Sequence, residues 1–134
     1  MNRVKLYLAC LAAFLAVDAI WLGLVARNFY REHIGYLLAP DVNWLAAGIF
    51  YLLFVLGIKV FVVEPGLRSG SLRRTLVRAA FFGLVTYATY DLTNQATVRN
   101  WPVLVTVVDL VWGAFISTVV SLAGFRVGQR LGIS

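Results

Sequence analysis

Apolar residues run along this chain in four long stretches, Val4 to Ala26, Val42 to Val63, Leu76 to Val98 and Pro102 to Phe125, each broken by only a few polar positions. A helix needs about 20 such residues to cross a hydrocarbon core, so each stretch is long enough to span a membrane. The connections are about 15, 12 and 3 residues long, and links that short place successive helices side by side and antiparallel. The pattern predicts an all-α fold: a polytopic membrane protein forming a compact antiparallel four-transmembrane-helix bundle, with residues 1–134 as a single domain. The first stretch follows a basic start, "MNRVK", but exceeds the apolar core of a secretory signal and reads as a retained span.

The breaks in the pattern carry the chemistry. Three of the six acidic residues fall inside spans: Asp18 in the first, Asp91 in the third and Asp109 in the fourth. Counted from each span's midpoint, all three lie roughly 4 to 7 Å toward the same membrane surface. An ionisable group at that depth is costly against lipid, so it turns inward, finds partners or lines a wet cavity. The third span adds "YATYDLTNQA" at 87 to 96. Helical spacing puts Tyr87, Tyr90, Asp91 and Asn94 on one face, with Thr86, Thr89, Thr93 and Thr97 as a flanking stripe. The threonines can satisfy themselves by bonding a carbonyl one turn back. Asp91 and Asn94 cannot, and must look across the bundle.

Two further stretches, "DAIWLG" at 18 to 23 and "DLVWGA" at 109 to 114, share Asp-x-x-Trp. The match is too short to establish an internal repeat, but it puts Trp21 and Trp112 one turn from a carboxylate, as core packing or as the lining of a pocket. Trp44 and Trp101 stand at span ends, where an aromatic belt at headgroup level is the simpler expectation. Small residues predict close helix contacts along Gly113, Ser117, Ser121, Gly124 and Gly128, and along Ala12, Ala16, Ala19 and Gly23. Cys10, alone of its kind, permits no internal disulfide and reads as a small buried hydrophobe.

Composition agrees with the pattern, since 61% of the residues are hydrophobic and 13% charged, where a soluble domain carries about a quarter charged. The net charge of +6 decides orientation. Arg3, Lys5, Lys59, Arg68, Arg73, Arg74, Arg78, Arg126 and Arg130 gather on one side, and Arg27, Arg31 and Arg99 on the other. The basic side stays in the cytoplasm, which predicts cytoplasmic termini. Topology and anionic lipid account for the charge, so no nucleic acid is expected as a partner.

"DAIWLG", "IGYLL", "IFYLLFVLGIKVFVVEPG" and "GLVTYATYDLTNQATVRNWP" followed by "DLVWG" resemble, over nearly the whole chain, the bacterial family of small four-helix membrane proteins called domain of unknown function 2177. The resemblance implies a bacterial inner-membrane protein of about this length. It brings no activity, substrate or cofactor.

The sequence has no Gly-rich phosphate loop, Cys-x-x-Cys, Gly-x-Ser-x-Gly or His-rich metal motif, so no cofactor and no metal are expected. His33, the only histidine, reads as a solvated loop residue. If that loop folded back over the bundle, His33 could join Asp18, Asp91 and Asp109 around a metal. Three function classes stay open. One is an outward-facing intramembrane pocket formed by Asp18, Trp21, Tyr87, Tyr90, Asp91, Asn94, Asp109 and Trp112. It would bind or transport a cationic or amphiphilic small molecule or lipid headgroup, by charge and cation–π attraction. Another is a lipid-modifying enzyme using paired aspartates as acid and base. The last is a structural subunit for a membrane complex, whose aspartates bond across helices, with Arg27 and Arg99 as the candidate partners. Membrane lipids are expected partners in each case, and transport by so small a chain calls for a homodimer.

Overall fold

The computed structural model describes residues 1–133, and every regular element among them is helical. The first is α1 (Asn2–Trp21), which passes through a π-helical turn (Leu22–Ala26) into α2 (Arg27–Ile34) and a 3-10 turn (Gly35–Leu37). Then come α3 (Trp44–Ile58), a second π-helical turn (Lys59–Val63) and α4 (Glu64–Ser69), followed by α5 (Leu72–Thr97) and α6 (Val103–Arg130). The two longer connections, expected as loops of about 15 and 12 residues, are therefore mostly helix. Arg27–Ile34 extends the first helix and Glu64–Ser69 the second. A helix propagates cheaply once formed, and no proline or glycine breaks the 27–34 stretch. True turns are left only where local chemistry demands them. The Asn43 side chain accepts from the Ala46 N–H at 3.1 Å to start α3. Gly70 takes φ 68° and Ser71 caps the Arg74 N–H at 3.2 Å to start α5.

Three continuous helices, Asn2–Leu37, Trp44–Ser69 and Val103–Arg130, are long and apolar enough to cross a membrane by length and composition. Helix α5 is diluted by the arginines of its first turns and by its polar face. It reaches the same depth because it lies antiparallel to α6, its most extensive neighbour. At their crossing, a Cβ added to Gly83 would land on the Gly113 carbonyl, 2.8 Å from the Ser117 Cβ. Glycine here lets two backbones touch, which is how helices gain packing energy in lipid.

The expected small-residue seam of α6 is therefore real, and it is internal: Gly113, Ser117, Ser121, Gly124 and Gly128 are all buried. A Cβ on Gly124 would meet Cys10 Sγ at 2.7 Å, and Gly128 lies against Leu67. The expected seam of α1 is not. Ala12, Ala16, Ala19 and Gly23 are exposed, and α1 instead buries Leu6, Cys10, Phe14 and Asp18, a stripe of one residue every four.

The apolar core fills one half of the bundle, nearer the termini. Leu6, Cys10 and Phe14 of α1 meet Phe54, Val55 and Ile58 of α3, and Ile116, Val120 and Phe125 of α6. At that end Glu64 pairs with Lys59 at 3.2 Å and with Arg3, tying the second helix to the start of the first. The outer surface carries large apolar side chains such as Leu24, Leu45, Leu53, Phe61, Phe81 and Val111, as a lipid-facing exterior should.

Candidate functional site

The half of the bundle farther from the termini is hollow. A cavity of about 390 Å³ lies between α1, α3, α5 and α6, with Asp18, Asp91 and Asp109 in its wall. All three aspartates are buried, although each comes from a different helix. Trp21 and Trp112 stack face to face in the same wall, their rings 4.3 Å apart and 11° from parallel. Each indole stands one turn from its aspartate, in opposite directions along the two antiparallel helices, and the rings nevertheless meet across the cavity wall.

The carboxyl of Asp91 faces that of Asp109. Asp91 is fully buried, and neither of its oxygens has a hydrogen-bond partner among the described residues. Two carboxylates offer each other only acceptors, so such a contact is completed by a proton between them or by a cation drawn to both. Asp109 has a donor of its own, the Tyr30 hydroxyl. The Tyr51 hydroxyl lies beside Asp18. No arginine pairs with any of the three among the described residues, so the ion pairs considered for Arg27 and Arg99 are not formed.

Tyr30 arrives from an unexpected place. At 100° per residue a regular helix would leave it about 120° around the axis from Asp18, whereas the extra residue of a π-turn brings it back to within about 20°. The turn at Leu22–Ala26 supplies that correction, and α2 folds along the start of α6. Ile34 there packs on Trp101 and Val105, with Phe29, Tyr30 and Val98 around them. Trp101, expected in an aromatic belt, is in fact buried. Its indole N–H donates to Thr106 at 3.1 Å, and Thr106 in turn bonds Gln95 at 2.8 Å. The Tyr36 hydroxyl donates to the Asn100 carbonyl at 2.6 Å, fastening α2 to the turn before α6. This end of the cavity is thus capped, and an indole with a donor to satisfy prefers a hydroxyl in the cap to the interface. Trp44, by contrast, is 72% exposed, as a belt residue would be.

Tyr87 and Tyr90 of α5 also reach the cavity. Tyr87 packs its ring against the Gly113 backbone, while Tyr90 is 60% exposed and stands at the rim, edge-on to Trp101. Asn94 does not line the cavity. One helical turn beyond Asp91, it sits at the level of the cap. The flanking threonines bond backward to carbonyls of their own helix, Thr89 to Val85 and Thr97 to Thr93, both at 2.8 Å. The metal alternative finds no support: no group of three or more His, Cys, Asp or Glu side chains among the described residues could hold an ion. His33 instead packs at a tilt on the Phe29 ring and bonds the Phe29 carbonyl at 2.9 Å.

Sequence reasoning missed Tyr30, Phe50, Tyr51 and Leu22 in the wall, and Thr86, read only as part of the flanking stripe, lines it too. Tyr51 left a trace, a lone hydroxyl inside "IFYLLF", which needs a polar neighbour in hydrocarbon. Tyr30 left none, because the π-turn that aims it has no sequence mark.

A family model described as Predicted membrane protein (DUF2177) matches residues 3–126. No curated protein and no solved structure matches the chain.

Proposed function

The chain belongs to this family of predicted membrane proteins, and from that premise we propose that its cavity binds a cationic small molecule or an amphiphile with a cationic head. The observation that carries the reading is Asp91, a carboxyl fully withdrawn from solvent, without a partner, facing a second carboxyl across an aromatic-walled space. A cation there satisfies both groups at once, and the stacked indoles and the tyrosines add cation–π attraction. The proposal includes orientation: the basic asymmetry puts both termini in the cytoplasm of a bacterial inner membrane, with the capped end of the cavity toward the outside.

The test is thermal unfolding of purified protein against a panel of lipophilic amines and lipid headgroups, on the wild type and on Asp91→Asn. Binding to the native state alone raises the melting temperature with ligand concentration. Amines should stabilise the wild type and not the variant. A wild type indifferent to the whole panel removes the reading.

One observation favours a second reading, in which the aspartates only join helices. The bond from Tyr30 to Asp109 ties α2 to α6 whether or not anything binds. In that case Asp91→Asn would lower stability and no ligand would shift the wild type.

A further inference from the structure

On its α3 side the acidic cavity adjoins a second space. Phe50 and Thr86 line the cavity, and the same two residues line an apolar cleft of about 480 Å³ between α3 and α5. From Phe50 the cleft continues past Phe54, Gly57 and Phe61, with Phe82 on the facing helix. Phe50 and Phe54 stack at 5.5 Å, and Phe82 approaches both Phe54 and Phe61. The cleft offers almost no polar atom beyond the Thr86 hydroxyl, which is already bonded to the Phe82 carbonyl at 2.9 Å. Glycine at 57 keeps it open, since a Cβ there would press on the Phe82 ring at 3.1 Å.

We infer that this cleft seats the hydrocarbon tail of a single-chain amine amphiphile whose head occupies the acidic cavity. The inference rests on the cation-binding reading above and adds the class of ligand and its route. Three features point the same way. The outer end of the cavity is closed by α2 and the Trp101 cluster, hydrogen-bonded in place. The cleft shares two wall residues, Phe50 and Thr86, with the cavity, so the two spaces lie side by side. The polarity changes along the path from an unpartnered, buried carboxyl to a surface of aromatic rings, the order of charge and hydrocarbon in a cationic amphiphile. From residue 50 to residue 61 the cleft runs roughly 16 Å along the helix axis, a length that suits a dodecyl chain. Because lipid tails are as apolar as the cleft, the tail gains packing rather than hydrophobic transfer on entering. The carboxyls therefore set affinity, and the cleft sets the ligand's direction.

The experiment uses dodecylamine carrying a diazirine at the far end of its chain, mixed with purified protein in nonionic detergent and illuminated. Labelled positions are then mapped by mass spectrometry. Butylamine, a head without a tail, is tested alongside by thermal unfolding. The inference expects labelling of Val60, Phe61 and Phe82 at least about tenfold above that of Ile20 and Leu24, apolar residues exposed on the first helix, since a seated chain end samples one surface rather than all. Asp91→Asn should remove the excess. If butylamine stabilises the wild type through Asp91 but labelling is equal on the two surfaces, the tail site is wrong and the head site stands. If neither amine stabilises the wild type, both fall.

Discussion

At the scale of single residues, the aspartates show what burial demands. Asp18, Asp91 and Asp109 could be placed inside from the sequence alone, because a carboxylate facing lipid is costly wherever the helix turns. Their partners could not, since Tyr30 and Tyr51 come from segments whose own pattern reads as interface and hydrocarbon. The partners predict how substitutions differ. Tyr30→Phe strips Asp109 of its donor in a buried place, and should destabilise the protein by about 1–2 kcal/mol in thermal or denaturant unfolding. Thr93→Val removes only a bond to the Thr89 carbonyl of the same helix on an exposed face. It should change stability by less than about 0.5 kcal/mol. Equal losses in the two variants would mean that the Tyr30 hydroxyl plays no special part.

At the scale of elements, the four stretches were legible because hydrocarbon thickness sets their length, and the seam of α6 because small residues at four-residue spacing have one use in lipid. Two things were not. The seam of α1 carries the same spacing yet faces outward, since a small residue permits close approach without requiring it. The π-turns were invisible, as any apolar helix can absorb an extra residue. Gly83 and Gly48 separate the two meanings of glycine. Gly83→Ala drives a methyl into the Gly113 carbonyl and should destabilise by about 1–3 kcal/mol. Gly48→Ala meets nothing within 4 Å and should cost nothing. The π-turn is tested by deleting Leu24, which removes the extra residue and leaves Tyr30 on a regular helix still within about 20° of the Asp18 direction. In that background Tyr30→Phe should cost as much stability as it does in the wild type, a comparison read from a double-mutant cycle. A cost that disappears on deletion would show that the π-turn does more than absorb one residue.

At the scale of the whole molecule, the bundle divides its length between a filled half and a hollow one. Phe14, Phe54, Ile116 and Phe125 pack solidly toward the termini, while three carboxyls and two stacked indoles surround space in the other half. The division follows from the sequence, where the intramembrane acids share one depth. The cap over the hollow half does not, because it depends on α2 continuing the first helix to where Ile34 meets Trp101 and Val105 at the start of α6. Orientation is a separate claim with its own check. With a cysteine at position 33 or 70, a membrane-impermeant thiol reagent applied to intact cells should label the first and miss the second, and the reverse would invert the proposed topology. Cys10 is buried and gives no background.

The central claim is that Asp91 is held without a partner in order to receive a cation, and calorimetric titration of dodecylamine into purified wild type and Asp91→Asn tests it most directly. The account predicts saturable binding to the wild type and at least about a tenfold loss in the variant, the scale on which removing one member of a charged contact acts, while the ligand-free variant melts close to the wild type. Equal binding by both proteins, or saturable binding by neither, would contradict it.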